Sequence, residues 1–309
     1  MTRVAAIDCG TNSIRLLVAD GHIDESGRPH LADLTRQMRI VRLGQGVDAR
    51  GYLDPAAIER TVEATVEYQR MIEALGATKT RFVATSATRD ASNSADFVRQ
   101  IKAVIGVEPE VVVGTDEASL SFNGAVSGLG ESVAAPMLVV DIGGGSTELV
   151  LADVAGTILH SVSLNVGSVR LRERFLHTDP PTSEEQRTSR AFVGDLLDGS
   201  GIDFAAVASA VGVAGTVTSV AARVLGLEAY SRDAVHGLVL GCDDIRDANS
   251  HWLATPVSEI EGEPCMHPLR AGVIGAGTLI LDEIAARIPS QKILVSETDI
   301  LDGIALELL

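Results

Sequence analysis

At 309 residues the chain exceeds the size a single hydrophobic core usually supports, so two domains are expected. Hydrophobic residues make up 46% and charged residues 22%, which excludes a disordered chain, and no apolar run approaches the roughly 18 residues of a membrane span. The formal charge of −17 argues against nucleic-acid binding, which draws on a basic surface, and a polyanionic ligand would need a local basic cluster helped by a metal. The chain enters a strand pattern at once, without a basic segment, long apolar segment or cleavage site, so a cytoplasmic enzyme is expected.

In chain order, residues 4–18 read as two strands joined by Asp8-Cys9-Gly10-Thr11-Asn12-Ser13. Residues 20–29 form a polar turn and 38–43 another strand. Asp54 before Pro55 caps a helix with apolar spacing through Leu75, and Gly76 ends it. A strand at 81–85 leads into Ser86-Ala87-Thr88-Arg89-Asp90. A helix at 96–105 and a short strand at 110–113 follow, and Gly114-Thr115-Asp116-Glu117-Ala118 opens a helix toward Val126. The domain crossover is placed near 120–130, where Gly124, Gly128 and Gly130 cluster. The second half repeats the order. Residues 138–151 give a second hairpin, 157–164 a strand, 169–175 a helix, 178–184 a polar loop and 207–214 a strand that meets Gly215-Thr216. A helix at 270–287, a strand at 292–295 and a helix at 300–308 complete the pattern.

The chain is organised around the second hairpin, Asp141-Ile142-Gly143-Gly144-Gly145-Ser146-Thr147-Glu148. Glycines let backbone amides converge on an anion. Ser146 and Thr147 add hydroxyl donors, and Asp141 and Glu148 stand at the two mouths of the turn, where carboxylates hold a hard cation such as Mg²⁺. Phosphate donors beside Mg²⁺ ligands point to phosphoryl chemistry. A glycine-rich hairpin without a ligand is the competing reading of this stretch alone. The first hairpin weighs against it, because both copies fit strand, Asp-x-Gly-x-x-Ser, strand with the same spacing. Two such hairpins imply two similar half-domains facing each other across a cleft. Thr11, Asn12, Ser13 and 143–147 are expected to donate to phosphate oxygens. Arg89 is expected to act as a bidentate phosphate clamp or as a salt-bridge partner of Asp90 or Asp96. Cys9, Cys242 and Cys265 have no metal spacing, and Cys9 reads as a small buried residue. The seven histidines show no metal spacing and read as structural or solvated.

Taken together, these motifs resemble those of the exopolyphosphatase and guanosine-pentaphosphate phosphatase (Ppx/GppA) family, within the actin-like ATPase and sugar-kinase superfamily. Segments 7–13, 41–46, 84–91, 114–118, 140–148, 165–171, 214–216 and 235–237 carry the resemblance, which spans the chain. It implies an α/β fold of two actin-like (ribonuclease H-like) domains, 1–123 completed by 298–309, and 124–297. It also implies Mg²⁺-dependent hydrolysis of the terminal phosphoryl group of inorganic polyphosphate, guanosine pentaphosphate as a secondary substrate, and a homodimer. Glu117 matches the family's catalytic glutamate and is expected to act as general base. Asp141 and Glu148 are expected to hold the metal, with Asp8 sharing it or orienting the water. Phosphate contacts are expected from Asp8, Gly10, Thr11, Asn12, Ser13, Arg89, Gly143, Gly144, Gly145, Ser146, Thr147, Gly215 and Thr216. The chain ends at Leu309 and lacks a His-Asp dipeptide, so it resembles the short family members. It departs from the family at Ser119 and at Ser296-Glu297-Thr298-Asp299, where arginine is usual. An ATP-dependent kinase of the same superfamily and a non-catalytic phosphate-sensing protein are the competing functions.

Overall fold

Side chains along β1 (Thr2–Cys9) alternate between two cores, as the two-residue period of a strand requires. Ala5 and Ile7 join one cluster and Val4 and Ala6 the other, so both faces of the sheet are covered. The structure is a computed structural model and describes residues 1–25, 27–129 and 133–309; Gly130 of the crossover cluster lies outside them. The chain falls into two units, Met1–Ser127 with Thr298–Leu309, and Gly128–Glu297.

In the first unit, β1, β2 (Ser13–Ile23) and β3 (Pro29–Ile40) pair antiparallel, and β4 (Lys79–Ala84) and β5 (Glu110–Val111) continue on the other side in parallel. The order is β3-β2-β1-β4-β5. One face carries α1 (Pro55–Leu75) and α2 (Ser94–Ile105), which bury Tyr68, Ile72, Phe97 and Ile101. The other face carries α3 (Gly114–Ser127) and the helix Ile300–Leu306, which bury Leu120, Ile300 and Ile304. α1 starts and stops as its caps dictate: Asp54 accepts from the Ala56 amide and Gly76 takes a left-handed φ of 70°. The strand expected at 38–43 begins earlier, at Pro29, and the preceding turn is shorter than 20–29. β3 is a largely exposed edge strand, so its sequence is polar and shows no apolar run.

The second unit repeats the plan. β6 (Met137–Ile142), β7 (Thr147–Ala152) and β8 (Ile158–Leu164) pair antiparallel, and β9 (Ser209–Val213) lies parallel to β6. A tenth strand, β10 (Val239–Gly241), runs antiparallel to β11 (Lys292–Val295), giving the order β10-β11-β9-β6-β7-β8. The helices are α4 (Ser168–Phe175), α5 (Ser183–Asp198), α6 (Ala214–Val224), α7 (Cys242–Ala254) and α8 (Pro268–Ala285). Three antiparallel strands followed by parallel additions beside the first is the actin-like arrangement, present once in each unit.

Candidate active site

Both hairpins are built by the same bond. The Gly10 amide donates to Ser13 O (2.9 Å), and the Gly143 amide donates to Ser146 O (3.0 Å). Each bond closes the turn and leaves the next two amides, Thr11 and Asn12 or Gly144 and Gly145, without a hydrogen-bond partner among the described residues. Adjacent unpaired amides at a turn form a concavity that suits an anion. Each tip is braced from outside by a later segment. The Gly44 amide donates to Thr11 O (2.8 Å), and a side chain at Gly44 would collide with Thr11. At the other tip the Ser168 and Val169 amides donate to Gly143 O and Gly144 O, and Gly167 lies so close to Gly144 that a Cβ would sit 2.5 Å from its carbonyl carbon. Thr147, expected as a phosphate donor, is fully buried and gives its hydroxyl proton to Val166 O (2.6 Å). It braces the hairpin, and Ser146 and the free amides remain as donors.

The two hairpins differ in the residue opposite the aspartate. In the first, Asp8 pairs in register with Arg15; in the second, Asp141 pairs in register with Glu148. Residues directly opposite on antiparallel strands project to the same face, so the first hairpin carries a neutralised pair and the second two acids side by side. Asp141 is 7% and Glu148 2% exposed, and Ser163 donates to Glu148 Oε1 (2.7 Å). Asp141 and Glu148 fit Mg²⁺, which takes one or two carboxylates and leaves its other positions to water and phosphate. Among the described residues, no group of three or more His, Cys, Asp or Glu is arranged to hold a metal ion.

At the first hairpin Arg15 donates through Nε (3.0 Å) and Nη2 (2.7 Å) to Asp8 Oδ2 and through Nη1 to Asp299. Asp8 is 5% exposed, and burial raises its proton affinity despite Arg15. Burial also raises that of Asp299, but Arg15 and Arg36 outweigh it and hold the carboxyl below its usual range. Sequence reasoning had no means of finding the Arg15–Asp299 contact, because the partners lie 284 positions apart. Burial likewise pushes the Cys9 thiol well up, which leaves it unreactive.

β4 lies beside β1, so the turn after it meets the first hairpin. The Thr85 amide donates to Cys9 O (3.1 Å), and Thr11 Oγ1 and Ser86 Oγ are 2.8 Å apart. Ser86, outside the expected site residues, thereby joins them. Arg89 ends this turn, and its Nη1 donates to Val112 O (3.0 Å) and Glu117 Oε2 (3.1 Å). The expected base and the expected clamp are therefore partners, while Asp90 is 3.9 Å from Arg89 Nε. Glu117 lies in the first turn of α3 and is 7% exposed. Asn12 Oδ1 and Thr88 Oγ1 are buried without a hydrogen-bond partner in the same region.

In the second unit, Asp141 on β6 pairs with Val213 on β9, which brings the turn at Gly215 and Thr216 beside the second hairpin. Arg270 covers this turn, donating to Gly215 O (3.3 Å) and Ser219 Oγ (3.1 Å). A side chain at Gly215 would collide with that guanidinium. The acids of the departing 296–299 stretch are both occupied: Glu297 accepts from Arg232 Nε (2.9 Å) and Tyr230, as Asp299 accepts from Arg15.

Comparison with known proteins extends these observations. A family model described as the Ppx/GppA phosphatase family matches residues 22–309. Exopolyphosphatase 2 of Mycobacterium tuberculosis is 42% identical over an alignment of 319 positions, covering 100% of this chain and 99% of that protein. A crystal structure of an exopolyphosphatase-like protein superposes with a TM-score of 0.93 at 36% identity, covering 99% of this chain and 98% of that one. The Aquifex aeolicus member of the Ppx/GppA family superposes with a TM-score of 0.82 at 30% identity, over 99% and 97% of the two chains. Matched in this way through both actin-like units, the chain belongs to the Ppx/GppA phosphatase family.

Proposed function

We propose that the protein is an exopolyphosphatase, removing the terminal phosphoryl group of inorganic polyphosphate. The observation that carries this reading is the paired Asp141 and Glu148 beside unpaired turn amides, in a chain matched over its whole length by a protein named exopolyphosphatase. Glu117 accepts a proton from the attacking water as the water oxygen bonds to the terminal phosphorus. The bond to the next phosphate breaks, its electron pair stays on the shortened chain, and orthophosphate is released. Arg89 holds the Glu117 carboxylate and offers its remaining nitrogens to phosphate oxygens. The amides of Thr11, Asn12, Gly144 and Gly145 and the hydroxyls of Ser13 and Ser146 donate to others, and Asp8, Gly10 and Gly143 shape the turns. Gly215 and Thr216 contribute a further phosphate turn. Asp141 and Glu148 hold Mg²⁺, which when bound neutralises phosphoryl charge. Guanosine pentaphosphate is a secondary substrate, and the protein works as a cytoplasmic homodimer.

Phosphate release from long- and short-chain polyphosphate tests the reaction. Glu117→Gln keeps the shape and removes the base, so release falls about 10²–10⁴-fold. Unchanged release in that variant would discard the base, and no release by wild type at any chain length would discard the reaction. Excess chelator abolishes release and added Mg²⁺ restores it; turnover in chelator rejects the metal assignment. Release of the 5′-terminal phosphate from guanosine pentaphosphate tests the second substrate, and sedimentation tests the dimer.

A further inference from the structure

Asp299 has two separable jobs in the first unit. Its Oδ1 accepts from the Leu301 amide (3.0 Å) and caps the helix Ile300–Leu306, while its Oδ2 receives Arg15 Nη1. Arg15 is thereby gripped from two sides, its Nε and Nη2 fixed on Asp8 Oδ2. Asp8 and Asp299 both face this guanidinium; a second arginine, Arg36, lies beyond them, paired with Asp302 (2.5 Å) and Asp33 (3.0 Å). Two carboxylates thus share the single guanidinium of Arg15, whose charge is spent inside the protein and not offered to a polyanion at the unpaired Thr11 and Asn12 amides.

We propose that Asp299 is a positioning residue that limits phosphate affinity: by holding Arg15 Nη1 it fixes the guanidinium on Asp8 and cancels its charge inside the protein. This rests on the reading that the first hairpin binds phosphate. Release of Arg15 from Asp299 strengthens polyphosphate binding without touching the attacking water.

Asp299→Asn isolates the charge, because asparagine caps a helix as well as aspartate does. The expected result is a KM for polyphosphate lower by at least about threefold, with kcat within about twofold of wild type. The same gain appears as tighter calorimetric binding of tripolyphosphate, which needs no turnover, and shrinks in high salt. Asp33→Asn removes an equal charge from Arg36 alone and leaves KM unchanged; Asp299→Ala loses the cap as well and lowers Tm. An Asp299→Asn protein with wild-type Tm and unaltered KM and tripolyphosphate affinity overturns the proposal. Absence of polyphosphate hydrolysis in wild type, with tripolyphosphate bound more tightly by Asp299→Asn, would discard the exopolyphosphatase reading and keep this one.

Discussion

Arg89 Nη1 holds a backbone carbonyl and the Glu117 carboxylate, while Nη2 has no hydrogen-bond partner among the described residues. The fork is thus half committed before any phosphate arrives. Lysine keeps the charge but cannot make both contacts and still reach an oxygen. Arg89→Lys is therefore expected to lower kcat/KM at least about tenfold with little change in Tm, measured by phosphate release. A variant as active as wild type would reduce Arg89 to a surface cation. Most candidate residues were legible because Asp, Gly and Ser recur at fixed short spacing in both hairpins. Arg15 and Ser86 were not, because their contacts with Asp299 and Thr11 exist only after distant segments fold together.

Two helices show what local pattern can and cannot reveal. α1 was readable from its cap, its apolar spacing and its terminal glycine. α7 was not, since Asp, Asn, Ser and His dilute its apolar stripe. The start of α5 carries a capping box that a search for Thr-x-x-Glu would have found: Glu185 Oε2 accepts from the Thr182 amide (2.7 Å) and Thr182 Oγ1 accepts from the Glu185 amide (3.2 Å). The Thr178 hydroxyl, then the Thr182 amide, hold the Glu185 carboxyl down from 4.5 to about 2. A carboxyl lowered on folding adds stability above its unfolded pKa, and the gain is lost as pH falls through the folded value. The stability difference between wild type and Glu185→Gln should be full at neutral pH and shrink from about 4.5 toward about 2, read from urea midpoints. Elsewhere, α3 and the helix Ile300–Leu306 cross at two glycines. A Cβ at Gly124 would sit 1.6 Å from Asp299 O, and one at Gly303 would sit 2.0 Å from Leu120 O. No side-chain rotation relieves a clash with backbone, so Gly124→Ala should cost about 3 kcal/mol or more in denaturant unfolding.

At the scale of the molecule, a net charge of −17 repels a polyanion before any local contact forms. Added salt screens that repulsion, the screening length being about 10 Å at 0.1 M. KM for long-chain polyphosphate should therefore fall as ionic strength rises from low values at fixed free Mg²⁺, the reverse of a basic polyanion binder. A rise in KM would show that the arginine contacts outweigh the field. The chain path has its own effect on biosynthesis. Gly128–Glu297 is threaded between the two parts of the first unit, whose second core needs Ile300, Leu301 and Ile304. On a ribosome, the amino-terminal segment waits on the order of 10–30 s for those residues while the intervening unit is made. The usual order of domain maturation is inverted: the half that begins first is completed last, and during that interval Val4, Ala6, Leu17 and Val83 lack the cover of the helix Ile300–Leu306 and are open to a chaperone.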